Sequence, residues 1–226
     1  MISGLRVPFD REFAIIQDDL LKMHRLVDEA VARSYASLVE RDPARARQVI
    51  DDDEIINQLR FKIEEASLAL IATQQPTATD LRKVIAIMNI VVELERMGDH
   101  ATGIASTVLL MGDEPLLKPL VDLPKMVELG REMLNNSIQA LIDQDAERAK
   151  EIAARDDEMD EYYRAIFDEL VDIMAQNPEA APRATYLLWC AHSVERIGDR
   201  VTNIAERVVF ISTGDMQELN VKEEEI

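Results

Sequence analysis

The sequence predicts an all-α protein made of two tandem, sequence-related antiparallel three-helix bundles, six long helices in total, over residues 1–112 and 113–226. Three observations predict it. Prolines stand only at positions 8, 43, 76, 115, 119, 124, 178 and 182, and the long intervals between them are rich in Ala, Leu, Glu, Arg and Ile, which favour helix. Apolar residues recur at steps of three and four, and few stretches alternate with period two. Third, the chain repeats itself. Glu95-Arg96-Met97-Gly98-Asp99-His100-Ala101-Thr102-Gly103-Ile104-Ala105 returns 100 positions on as Glu195-Arg196-Ile197-Gly198-Asp199-Arg200-Val201-Thr202-Asn203-Ile204-Ala205.

The first helix, from about Phe9 to Glu40, carries Phe13, Ile16, Leu20, Met23, Val27, Ala30, Ser34 and Ser37 as one coiled-coil-like stripe. Asp42-Pro43 ends it and starts the second, with Asp as N-cap and Pro at the first helical position. Val49, Ile56, Ile63 and Leu70 recur there every seven residues. Gln75-Pro76-Thr77-Ala78-Thr79 makes a turn, and a third helix runs from about Asp80 to Leu110, apolar on almost all sides between Val84 and Leu94, as in a helix buried by its neighbours. Residues 111–119, broken by Gly112, Pro115 and Pro119, read as the connection between halves. The pattern then restarts. A shift of 103 aligns Leu20, Met23, Leu26, Ser34, Leu38 and Asp42 with Leu123, Met126, Leu129, Ser137, Leu141 and Asp145, placing helices at about 122–144, 146–176 and 181–211. Gly214 stops the last one, and Lys222-Glu223-Glu224-Glu225 reads as a frayed acidic tail. Short connections force antiparallel neighbours, so each half goes up, down and up.

With 25 basic and 44 acidic side chains the net charge is −19, which repels phosphate backbones and argues against nucleic acid as a partner. Cations and basic protein surfaces are the expected partners. One cysteine, Cys190, allows no internal disulfide, and the N-terminus lacks the apolar core of a signal peptide, so the expected location is cytoplasmic. No apolar run approaches the roughly 18 to 20 residues of a membrane span, so no direct membrane insertion is expected. Gly130, Ser137 and Ala140 on the fourth helix would let helices approach closely within a half or between chains, the basis for expecting a homodimer.

The repeated motif places two carboxylates four residues apart on a helix. Asp53 and Asn57 lie 23 and 19 residues before Pro76, while Glu95 and Asp99 lie 19 and 23 after it. Helices folded back at Pro76 therefore bring the two pairs to one height. Asp156 and Asp160 stand 22 and 18 residues before Pro178, with Glu195 and Asp199 17 and 21 after it. Acids at i and i+4 are ordinarily a solvated face. Here they continue seven-residue series that are otherwise largely apolar, they flank Gly98 and Gly198, and they are duplicated. Carboxylates gathered on a partly apolar seam need protonation or a cation. An oxygen-only ligand set of Asp53, Asn57, Glu95, Asp99, Asp156, Asp160, Glu195 and Asp199 suits iron, Mn, Mg or Ca, and not a thiolate-held structural zinc. Arg96 and Arg196, next to the acids, are the competing internal cations. No Glu-x-x-His pair, nucleotide loop or paired nucleophile is present, so no enzymatic turnover is expected. His192 and Met23, Met88, Met126 and Met133 read as core filling.

Gln75-Pro76-Thr77-Ala78-Thr79-Asp80-Leu81-Arg82, with Glu93-Leu94-Glu95-Arg96-Met97-Gly98-Asp99 and its repeat Val194-Glu195-Arg196-Ile197-Gly198-Asp199, resembles the PhoU family of bacterial phosphate-uptake regulators over nearly the whole chain. The resemblance implies a cytoplasmic negative regulator acting on a phosphate ABC transporter ATPase and on the sensor histidine kinase of phosphate starvation. It also implies metal, including multinuclear iron, at Glu95/Asp99, Glu195/Asp199 and Asp156/Asp160. Asn57 departs from the acidic pattern, so the C-terminal unit is expected to hold metal more strongly. Pro178-Glu179-Ala180-Ala181-Pro182-Arg183 departs from the Gln-Pro-Thr turn. A metal-dependent phosphohydrolase and a metal-free helical scaffold are the alternatives.

Overall fold

The structure, a computed structural model, describes residues 3–220, and the acidic tail at 222–225 lies outside them. All regular structure among the described residues is helical: α1 (Ser3–Glu40), α2 (Pro43–Gln74), α3 (Ala78–Leu110), α4 (Leu123–Asp143), α5 (Ala146–Ala154), α6 (Asp156–Gln176) and α7 (Ala181–Thr213), with a short 3₁₀ turn at Pro178–Ala180. The expected starts and stops are made by the expected groups. Asp42 Oδ1 accepts from the backbone N–H groups of Ala44 and Arg45 ahead of Pro43, and Asp145 accepts from that of Arg148. Gln75 and Gly214 take left-handed conformations at the ends of α2 and α7.

Two boundaries differ from expectation. α1 begins before Pro8, because a proline this close to a helix start forfeits only one backbone bond. The expected fifth helix is broken at Arg155, whose N–H bonds back three residues to Ile152, while Glu158 N–H bonds to the Arg155 carbonyl. The break falls one residue before Asp156. Arg155 also reaches Glu132 on α4 and Glu158 on α6.

The whole α1 stripe from Phe13 to Ser37 is buried, as are Val49, Ile56, Ile63 and Leu70 of α2. Each half is a three-helix bundle, α1–α3 and α4–α7, with α5 and α6 together filling the place of α2. The halves join through α3 and α7, the most extensively packed helix pair, and through α1 against α4, so one core runs through both. This is why Val84, Ile87, Ile90, Val91 and Leu94 of α3 are all buried: α1 and α2 cover one side and α7 another. Arg131 of α4 clamps Asp28 of α1 with two 2.8 Å hydrogen bonds. Arg41 donates to the carbonyls of Gly112 and Glu114, and Arg183 to that of Pro115, fastening the connection between halves.

Gly130, Ser137 and Ala140 are buried inside the second half, where Gly130 leaves room for Met159. The small-residue stripe therefore serves packing within the chain and offers no surface to a second copy. Met23, Met126 and Met133 are core as expected, but His192 is half-exposed, its Nδ1 3.4 Å from Glu195.

Candidate functional site

α3 and α7 cross antiparallel, with Gly103 facing Ser193 and Glu93 facing Asn203, which puts the two Glu-Arg-x-Gly-Asp motifs at one height. Each motif then meets the helix preceding it in its own half. A Cβ on Gly98 would stand 3.1 Å from Asp53 Oδ1, and one on Gly198 would stand 2.9 Å from Asp156 Oδ1. The glycines are thus where α3 and α7 make room for an aspartate from the neighbouring helix, the close approach their presence in mid-helix implied.

In the first unit Asp53, Asn57 and Glu95 are half-buried and Asp99 is exposed. Asn57 Nδ2 donates to Asp53 Oδ2 at 2.8 Å, while Asp53 Oδ1 is buried and accepts no hydrogen bond. Burial raises the Asp53 pKa, the Asn57 bond opposes this, and Glu95 and Glu54 add to the rise. Burial, Glu95 and Asp53 raise Asp99, with Arg60 and Arg96 opposing. Asp53, Glu95 and Asp99 therefore feel one another across α2 and α3, as the count from Pro76 requires. The seven-residue series that carries Glu95 and Asp99 is a half-buried rim, however, and the apolar seam of α3 lies one step round the helix at Leu94, Met97 and Ala101.

The second unit is deeper. Asp156 is 3% and Glu195 7% exposed, and Asp160 and Asp199 are half-buried. Arg196 lies across the acids, donating to Glu195 at 2.8 and 2.9 Å and reaching Asp199 Oδ2 at 2.8 Å. Its pKa is pushed up by the bond to Glu195, with Asp199 and Asp156 adding. Asn220 Nδ2 donates to Asp156 Oδ2 at 3.3 Å.

The internal cations differ between the units for a reason legible in the repeat. Arg96 turns to Glu93 at 3.4 Å, and Glu95 is served by Arg60 of α2 at 2.9 Å. Position 193 is Ser, so Arg196 has no glutamate there, and the counterpart of Arg60 is Tyr163, which carries no charge. Arg196 is left to neutralise Glu195 itself. Sequence reasoning named Arg96 and Arg196 and missed Arg60 and Glu93. The signal for Arg60 was present, since Asp53, Asn57, Arg60 and Glu64 follow helical spacing down one face of α2. Glu93 also accepts from Arg200 and Asn203, tying the halves together between the two units. His100 lies in the same seam. Burial, then Arg200, His192 and Arg196, lower its pKa to about 4, so it is neutral there.

Among the described residues, no three His, Cys, Asp or Glu side chains already converge as a metal-ligand set. In donor type and charge the residues suit a hard cation, and the buried Asp53 Oδ1 has a lone pair to offer. A cation binding either unit would have to take the place of a guanidinium, Arg60 at Glu95 or Arg196 at Glu195 and Asp199. Cys190 is buried and its thiol is pushed up to about 12, so it is no nucleophile. No described helix is long and apolar enough to cross a membrane.

Comparison with known proteins agrees with this duplicated architecture. The PhoU domain family matches twice, at residues 20–108 and 123–208. A phosphate-specific transport system accessory protein PhoU homolog of Streptococcus pneumoniae serotype 4 is 35% identical over 216 residues, 96% of this chain and 100% of the relative. Crystal structures of PhoU from Streptococcus pneumoniae and Pseudomonas aeruginosa superpose with TM-scores of 0.88 each, at 34% and 32% identity. They cover 93% and 92% of this chain and 100% of each of those chains.

Proposed function

The chain belongs to the PhoU family, and on that premise we propose that it is an accessory regulator of phosphate transport. In this reading it is an adaptor without turnover of its own, located in the cytoplasm. It restrains a phosphate ABC transporter through the transporter's ATPase, and a sensor histidine kinase of phosphate starvation, when phosphate is plentiful. The observation that carries the reading is the likeness of both halves, along nearly the full chain, to accessory proteins of phosphate-specific transport. The net charge of −19 favours basic protein surfaces as partners. The test is capture of partners by the full chain from phosphate-replete cells. Recovery of the transporter ATPase or the sensor kinase is expected, and absence of both from replete and starved cells alike would overturn the reading.

The second component of the proposal is metal at the two acidic units, held by Asp53, Asn57, Glu95 and Asp99 in one and by Asp156, Asp160, Glu195 and Asp199 in the other. Bound metal would supply the positive charge that these carboxylates otherwise draw from Arg60 and Arg196. Burial raises the Asp53 and Asp99 pKa values, with Glu95 adding to both and Asp53 adding to that of Asp99, and this supports metal, because half-buried carboxylates that crowd one another gain from a shared cation. Elemental analysis of protein purified without chelator is expected to find metal that the Asp156→Ala/Asp199→Ala double variant loses in part. Equal, negligible metal in both proteins would leave the adaptor reading standing and remove the metal.

A further inference from the structure

The ten aromatic residues of the chain are unevenly placed: Tyr162, Tyr163, Phe167, Tyr186, Trp189 and the buried Phe210 all fall on α6 and α7. Tyr163, Phe167 and Val171 follow one another at helical spacing on α6, and Tyr186, Trp189 and His192 do so on α7. The Tyr163 ring meets Phe167 at 6.4 Å and His192 at 5.9 Å, and Tyr186 meets Trp189 edge-on at 5.7 Å. Because α6 and α7 run antiparallel, the Tyr163–His192 contact sets the register and places Phe167 and Trp189 one turn further along the same face. That face is open. Trp189 is 50%, Phe167 41% and Val171 39% exposed.

Folding does not require this arrangement, because the other half does without it. The counterparts of Tyr163 and Phe167 are Arg60 and Glu64, which form an ion pair at 3.1 Å, and those of Tyr186 and Trp189 are Ala86 and Asn89. The first half therefore places Arg60, Glu64 and Asn89 where the second places Tyr163, Phe167 and Trp189. An exposed Trp backed by half-buried Tyr side chains is the kind of group that dominates binding energy at protein interfaces. The surroundings select the partner. The exposed positions of α6 include Asp157, Glu158, Glu161, Asp168, Glu169 and Asp172 against a single base on that helix, Arg164. Such a rim repels a second copy of a chain with net charge −19 and attracts Lys and Arg, whose cationic heads also stack on Trp and Tyr faces.

We propose that the α6–α7 face centred on Trp189 and Phe167 is a docking surface for a basic amphipathic helix of a protein partner. Its aliphatic side chains cover the aromatics, and its Lys and Arg side chains meet the acids of α6. The inference stands apart from the phosphate reading, because it rests only on this face. Trp189 is the only tryptophan of the chain, so its emission reports occupancy of the face directly. The test titrates the full-length protein with a helical Leu/Lys amphipathic peptide and with its Leu/Glu counterpart. A saturable blue shift of Trp189 emission is expected with the first and none with the second. Affinity is expected to weaken about tenfold in Phe167→Ser and in Asp168→Lys/Asp172→Lys, consistent with the loss of one interface anchor. Phe61→Ser, on the exposed α2 face of the other half, should leave it unchanged, with circular dichroism confirming that each variant is folded. No saturable shift, equal binding of the Leu/Glu peptide, or an equal loss in Phe61→Ser would overturn the proposal. So would a Trp189 shift that follows protein concentration without peptide, which would assign the face to a second copy.

Discussion

A Cβ added at Gly198 would meet Asp156 Oδ1 at 2.9 Å and Met159 Cγ at 3.1 Å, whereas at Gly98 it would meet Asp53 Oδ1 at 3.1 Å and Ile56 Cδ1 at 3.3 Å. Alanine is the better helix former by about 1 kcal/mol, and overpacking costs about 1 to 3 kcal/mol. At Gly198 the clash is with a buried aspartate and should win; at Gly98 the two effects nearly cancel. Urea denaturation is therefore expected to show Gly198→Ala destabilised by about 1 kcal/mol and Gly98→Ala within about 0.5 kcal/mol of the parent. His24 permits a test by pH. Burial lowers its pKa from 6.5, with Asp28 and Asn135 pulling upward and Arg25 downward. Between the lowered folded value and 6.5 the unfolded chain binds more protons, so stability falls as pH drops through that window. In His24→Gln the loss of stability between about pH 7.5 and 5.5 should be smaller, measured as the change in urea midpoint.

At the scale of elements, the contact of α3 with α7 depends on groups that the repeat does not share. Glu93 is matched by Ser193 and Arg200 by His100, so the polar link runs one way only, from Arg200 and Asn203 to Glu93 at 3.3 and 3.0 Å. Both partners of the ion pair are largely buried, at 14% and 21% side-chain exposure. A double-mutant cycle with Glu93→Ala and Arg200→Ala should give a coupling of about 1 kcal/mol in unfolding free energy. A coupling near zero would mean that the pair only fills space. The helices themselves were largely legible in the sequence, because capping and heptad spacing are local signals: Asp42, Asp145 and Gly214 act where they were expected to. The break at Arg155 was not legible. It carries neither Gly nor Pro, and its polar contacts reach α4 at Glu132, which no local pattern encodes.

For the whole molecule, the single core through α3, α7, α1 and α4 is expected to make the two repeats unfold as one structure. Thermal unfolding of the full chain followed by calorimetry should show one transition with equal calorimetric and van't Hoff enthalpies. Residues 1–112 alone should fail to unfold cooperatively, because separation exposes the face of α3 that α7 covers. Two resolved transitions would show instead that each half is stable by itself.

The placement of the eight candidate residues on facing helices was legible, since spacing around Pro76 and Pro178 depends only on helical rise. Their heights and the antiparallel bundles follow from chain geometry of that kind. What spacing could not supply was depth and charge partner. It placed Glu95 and Asp99 on an apolar seam, but packing turns them to a rim and buries Asp156 and Glu195 more deeply in the other half. It named Arg96 as a competitor, but Glu93 takes that guanidinium and Arg60 serves Glu95 instead. Local sequence determines where a side chain lies along its helix and on which face. Which neighbour covers that face, and which of several charges within reach is nearest, was decided only by the packing of the helices against one another.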